Sequence, residues 1–280
     1  MARPPRVMTF AGAAAGGSAG IQADIKTFQE MDVYGMSVIT AIVGRHPETK
    51  ENVHPMTIEA IEAQFYTAMK QVGVDGLKTG MMFSVEIIET VSSLIEDLDG
   101  KAIVVDPVMV GKMKSKLLKD DAILALKERL IPKATIITPN VIEASILLDD
   151  RPIETVDDLA AAAMDLHSYG SPYVLVKGGR LEGPAIDVLY DGKTLTFYEA
   201  PRIDTDHTSG AGCSYSAAIA AQLTKGKRVE DAVLIAKSFV TTAIQHSFSY
   251  TNIVGPTYHA AERNFGKAHE IKITNREGRG

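Results

Sequence analysis

The chain has 280 residues, 45% of them hydrophobic, enough to bury a sizeable core within one α/β domain. Lys plus Arg total 29 against 35 Asp plus Glu, so the net charge of −6 argues against a nucleic-acid or anionic-membrane surface. Its single cysteine, Cys213, excludes an intramolecular disulfide and fits a reducing compartment.

The N-terminus opens basic, but its apolar run covers only 7–11, too short for a secretory core. No apolar run reaches membrane-spanning length, and a cytoplasmic protein is expected. Short runs rich in Val and Ile then recur: VMTFA at 7–11, MSVITAIV at 36–43, AIVVDPVMV at 102–110, ATIITP at 134–139 and YVLVKGG at 173–179 predict buried strands. The segments 21–31, 58–72, 85–98, 121–130 and 156–170 carry helical periodicity. This alternation predicts an α/β fold with a mainly parallel sheet covered on both faces, and a ligand crevice beyond the carboxyl ends of its strands. Between 43 and 56 the polar run GRHPETKENVHP predicts a flap, or a plain surface loop. Around Asp191-Gly192 the stretch 186–199 alternates as a hairpin. No repeat or composition shift marks a second unit, so one domain over 1–280 is expected, with a tail from about 262.

The most informative stretch is DTDHTSGAGCSYSAAIAAQLTKG. Ser209, Gly210, Ala211 and Gly212 precede an Ala-rich helix that can stop at Gly226. A glycine-rich turn opening a helix points free N–H groups and the positive end of the helix dipole at one spot, an anion site. Cys213 falls at the helix start, where a thiol pKa is expected to drop, and could take a proton from a substrate hydroxyl. The plain alternative is a packing turn beside a structural cysteine. There is no G-x-x-x-x-G-K-[ST] run, and Gly12, Gly16, Gly17 and Gly20 miss the strict dinucleotide spacing. Asp106, before Pro107, ends a strand where a carboxylate suits water-held Mg²⁺ or orientation of a hydroxyl; it could also cap a turn. Asn140 and Glu143 fit a reciprocal helix cap. Lys177, before two glycines, can reach a nucleotide phosphate or simply snorkel.

HTSGAGCSYSAAIAA resembles the anion-binding turn of the ribokinase superfamily. Cysteine in place of the usual aspartate marks the hydroxymethylpyrimidine kinase and pyridoxal kinase branch. GIQADIKTFQEMDVYGMSVITA, GLKTGMM, VVDPVMV, ITPNVIEA and VLVKGG follow that family's order, so the resemblance covers about 7–258. It implies a three-layer ribokinase-like fold, a homodimer, and ATP-dependent phosphorylation of a hydroxymethyl group. The cofactors implied are ATP and Mg²⁺, with a monovalent cation left open. Asp106 and Glu143 would serve the metal. Lys177, Asn140, Glu143 again, Thr208, Ser209 and, in the 186–191 hairpin near the adenine, Asp187 would serve the nucleotide. The acceptor pocket would use Gly20, Val43, Arg45, Gly80, Met81, Met109 and Val110, the methionines otherwise being core filler.

The chain departs from the family pattern in three places. Ala13-Ala14-Ala15 replaces a Ser-Asp pair, Gly44-Arg45-His46-Pro47 stands where pyrimidine kinases tend to carry a glutamine, and Gly111 stands where some relatives have a lid cysteine. With the long flap, these differences favour pyridoxal as acceptor in vitamin B6 salvage. The alternatives are a hydroxymethylpyrimidine kinase of thiamine biosynthesis, a dual-specificity enzyme, a non-catalytic vitamer-binding protein and, most remote, a nicotinamide-dependent dehydrogenase.

Overall fold

The computed structural model describes residues 3–44, 47–48, 52–98, 100–110 and 118–278. Arg45, His46 and the segment 111–117, with Gly111, therefore lie outside the described residues. The chain forms β1 (Arg6–Ala14), α1 (Ile21–Glu30), β2 (Tyr34–Val43), β3 (Val53–Pro55), α2 (Ile58–Gln71), β4 (Gly76–Thr79), α3 (Val85–Leu94) and β5 (Ala102–Val105). It continues through α4 (Asp120–Ala125), β6 (Ile136–Ile137), α5 (Val141–Leu147), α6 (Val156–His167), β7 (Tyr173–Lys177), β8 (Ala185–Tyr190) and β9 (Thr194–Ala200). The C-terminal part holds α7 (Ala211–Thr224), α8 (Val229–Gln245), α9 (Ala261–Phe265) and β10 (Lys272–Glu277).

These strands make one ten-stranded sheet in the order β10-β9-β8-β7-β6-β5-β4-β1-β2-β3. The six strands from β7 to β2 pair in parallel, and the flanking strands pair antiparallel. The expected α/β architecture with a mainly parallel sheet is borne out. Strand alternation splits the core into two layers, because successive side chains point to opposite faces. Met8, Phe10, Leu77, Ile103 and Val105 pack with the helices α2 to α6. Val7, Val104, Ile136 and Leu175 face the other way, against α1, α7 and α8. Among the described residues no helix is long and apolar enough to cross a membrane.

Four local expectations change. The run 102–110 is strand only to Val105, since Pro107 has no N–H to continue the ladder. The helix expected over 121–130 is α-helical to Ala125 and then widens into one π-helical turn, Leu126–Leu130. Gly76–Thr79 is an extra central strand, paired with β1 and β5. Within the expected tail, residues 272–277 instead pair with β9. The flap does hold a short hairpin, Val53–Pro55 pairing antiparallel with 41–43 of β2.

From β1 the chain runs to β2 on one side and then to β4 on the other. The sheet thus has a switch point beside β1, and the carboxyl ends of β1, β4, β5, β6 and β7 open on one crevice.

Candidate functional site

A cleft of about 730 Å³ lies at those strand ends, within the range of small-molecule sites. Gly210, Ala211, Gly212, Cys213 and Asp106 line it, as do Lys177, Asn140, Glu143, Thr208 and Ser209. So do Gly20, Val43, Gly80, Met81 and Val110. The residues singled out in the sequence therefore converge, apart from Arg45 outside the described range and two others. Met109 is fully buried in the core, because the chain past Asp106 turns inward. Asp187 is also buried: its carboxylate accepts from Lys237 Nζ at 2.6 Å and from the Gly178 amide at 3.0 Å. It braces β8 against α8 and does not line the cleft. Sequence reasoning passed over Asn52, Val53, Val108 and Arg180, which do line it.

The anion-binding turn depends on Gly210, whose φ of 82° suits glycine and whose absent Cβ would lie 1.7 Å from the Ser18 carbonyl oxygen. The Ala211 amide donates to Thr208 O, and the Ser214 amide to Gly210 O. Those of Gly212 and Cys213 have no partner among the described residues. Two loops brace this turn. Ser209 Oγ donates to Ser18 Oγ at 2.9 Å, and Ser209 bridges Pro256 in parallel. Ser214 Oγ lies 2.9 Å from Gly210 O and 2.8 Å from His259 Nε2. Burial holds His259 down to about pKa 4. Gly210→Ala is expected to raise the Kd for ATP at least tenfold and to cost about 1–3 kcal/mol of stability, read by calorimetry and urea unfolding. Unchanged nucleotide affinity in a folded variant would remove the turn from phosphate binding.

Lys177 ends β7 beside the turn; its Nζ lies 3.6 Å from where a Gly212 Cβ would stand. That ammonium donates to Asp106 Oδ1 at 2.9 Å. Asp106 also accepts from Thr138 Oγ1 at 3.2 Å and from Ser216 Oγ at 3.0 Å. Burial alone would lower the Lys177 pKa, but Asp106 and Glu143 raise it, so the lysine is cationic. Asn140 Oδ1 accepts from the Ile142 and Glu143 amides while Glu143 accepts from the Asn140 amide, a capping box that opens α5. Both the structural and the site readings of that motif thus hold in one place. Burial pushes Glu143 up to about pKa 7, against the pull of Lys177.

At the cleft floor, fully buried Lys78 donates to both oxygens of fully buried Asp24, each at 2.8 Å, and Thr9 Oγ1 donates to the same carboxylate at 2.7 Å. Burial raises the Asp24 pKa, with Lys78 opposing. Cys213 is half-buried, its Sγ accepting from the Gly20 amide at 3.5 Å. The expected lowering of its pKa does not occur. Burial pushes the thiol up, and Lys78 only partly offsets it while Asp24 and Asp106 add to it. Those buried surroundings outweigh the helix start.

Asp106 and Glu143 form a hard oxygen-donor pair suited to Mg²⁺ held through water and phosphate. Among the described residues no cluster of three or more His, Cys, Asp or Glu could hold an ion unaided.

The phosphomethylpyrimidine kinase family matches residues 15–258. The chain is 46% identical over 262 residues to the pyridoxine kinase of Bacillus subtilis, covering 92% of this chain and 97% of that protein. It is 40% identical over 258 residues to the hydroxymethylpyrimidine/phosphomethylpyrimidine kinase of the same organism, covering 91% and 95%. The structure of the Staphylococcus aureus pyridoxal kinase in complex with AMP-PCP and pyridoxal superimposes with a TM-score of 0.89 at 35% identity, covering 99% of this chain and 100% of that one. With the resemblance and the fold thus in agreement, the chain belongs to the phosphomethylpyrimidine kinase family within the ribokinase superfamily, and is a phosphotransferase that uses ATP and an alcohol acceptor.

Proposed function

We propose that this kinase phosphorylates the hydroxymethyl group of pyridoxal, and of the related pyridoxine and pyridoxamine. The observation that carries the reading is the meeting, in one cleft, of two helix amides with no partner among the described residues, the Lys177 cation and the Cys213 thiol with an apolar wall of Ala14, Ala15, Ala19 and Met81. The wall suits a flat ring, and the amides with Lys177 suit the phosphoryl group in transfer. The higher identity to a pyridoxine kinase, 46% against 40%, points the same way.

In this mechanism Lys177 and the Gly212 and Cys213 amides hold the terminal phosphates, and the acceptor hydroxyl rests against Cys213. Positioning and charge stabilisation supply most of the acceleration, as expected for phosphoryl transfer. Cys213 as thiolate takes the hydroxyl proton while the oxygen attacks the γ-phosphorus and ADP leaves. Asp106 orients Lys177 and, with Glu143, would hold Mg²⁺ through water. That ion, when bound, neutralises phosphate charge. The flap about β3 shields the reacting atoms from water.

The test is a side-by-side assay of pyridoxal, pyridoxine and hydroxymethylpyrimidine with ATP and Mg²⁺. Pyridoxal should give the largest kcat/KM. A preference for the pyrimidine of about tenfold or more, a transition-state difference near 1.4 kcal/mol, would reverse the assignment. That reversal is the second reading, favoured by the 40% identity to the pyrimidine kinase.

A further inference from the structure

The two lysines that line the cleft are each already neutralised, Lys78 by Asp24 and Lys177 by Asp106. Glu143 adds a further acidic group to the same space. A nucleotide with several phosphate charges therefore enters a cleft whose interior cations are committed to carboxylates. Arg180 differs. It lines the cleft three residues beyond Lys177, is exposed, and has no hydrogen-bond or ion-pair partner among the described residues.

Its loop is held in an unusual way. Arg202, just past β9, donates through Nε to Gly183 O at 2.6 Å, through Nη1 to Gly179 O at 2.9 Å and through Nη2 to Leu181 O at 2.6 Å. Two of these carbonyls flank Arg180 directly. The Leu181 amide closes the turn on Gly178 O, and the Gly178 amide is fixed by buried Asp187. Leu181 packs against the core from this loop, but Gly179, Arg180 and Gly183 are exposed, and the bracing extends over them. The rigid guanidinium fork of Arg202 spends its donors on backbone carbonyls, so the loop's course from Lys177 to Arg180 is set before any ligand arrives.

We infer that Arg180 is a second phosphate-contacting cation of the nucleotide site, gripping the β- and γ-phosphates with Lys177, and that Arg202 is the positioning residue that presents it. This rests on the reading of the cleft as the ATP site and adds to it the uncommitted charge that the buried lysines do not supply. An arginine fork matches phosphate oxygens in pairs, and such charge-assisted contacts are strong.

The experiment measures binding of AMP-PCP and of AMP, without acceptor, to the wild type and to Arg180→Ala, Arg202→Met and the double variant. Arg180→Ala should weaken AMP-PCP about ten- to a hundredfold, the scale of one charge-assisted contact, and leave AMP unchanged. Arg202→Met should reproduce part of that loss and add nothing in the Arg180→Ala background. Arg180→Lys should recover part of the affinity. Equal losses for AMP and AMP-PCP, or no loss for either, would overturn the role of Arg180. Multiplying losses in the double variant would overturn the role of Arg202. Because no acceptor is present, a wrong vitamer assignment shows only in the turnover assay, and the binding comparison still decides this inference.

Discussion

Cys213→Ala is expected to lose turnover by about 10²- to 10⁴-fold, the span of a removed general base, while binding AMP-PCP as the wild type does. In the proposed mechanism phosphate is held by the Gly212 and Cys213 amides, which alanine keeps, and by Lys177, which does not depend on the sulfur. Only the group facing the acceptor hydroxyl is lost. The raised thiol pKa adds a second signature. At neutral pH the thiol is mostly protonated, so wild-type kcat/KM should climb as pH rises toward its titration, and that alkaline limb should be missing in Cys213→Ala. Rates within a small factor of wild type, with the limb intact, would take the cysteine out of the proton transfer. Reversible addition of the same sulfur to the aldehyde carbon of pyridoxal, the thiol proton passing to the carbonyl oxygen, would show as an absorbance change on mixing enzyme with pyridoxal that pyridoxine does not give. Alanine would abolish that change.

Much of this site was readable because parallel strands are buried on both faces and end abruptly. Asp106, Asn140 and Lys177 each stand just after a continuous apolar run, where the crevice of such a sheet must lie. Other parts left little trace. β4 is four residues long and includes a lysine and two glycine-or-threonine ends, so GLKT carries no apolar run, although all four residues are buried. β10, KITNRE, is exposed at every position, and an edge strand with no buried face has no alternation to detect. Asp187 looked like a ligand because it sits in a hairpin near the nucleotide end. Its inward register on β8 sends it to Lys237 instead. Asp24 was the missed signal that did exist. In α1 it shares the buried face with Ile21, Thr27 and Phe28, and a carboxylate on that stripe demands a buried cation. Lys78 is that cation.

The Lys78–Asp24 pair gives the second large expectation, one that separates folding from chemistry. Lys78→Met alone strands a buried carboxylate with Thr9 as its one remaining donor among the described residues, and should cost about 3–5 kcal/mol of stability, read as a lower urea midpoint. Removing the charge on both sides is different, because well-packed apolar groups of similar volume often replace a buried ion pair without loss. The variant Lys78→Met with Asp24→Leu and Thr9→Val, which also retires the hydroxyl that would lose its acceptor, should therefore regain most of the stability. Its turnover should stay low. Lys78 lines the cleft with Cys213 and favours its thiolate more than Asp24 opposes it, so removing both leaves less thiolate at neutral pH. The alkaline limb of kcat/KM should shift to still higher pH in the apolar variant. A triple variant that recovers both its urea midpoint and its wild-type pH profile would make the pair purely structural. The cleft would then work without any tuning of its thiol from below.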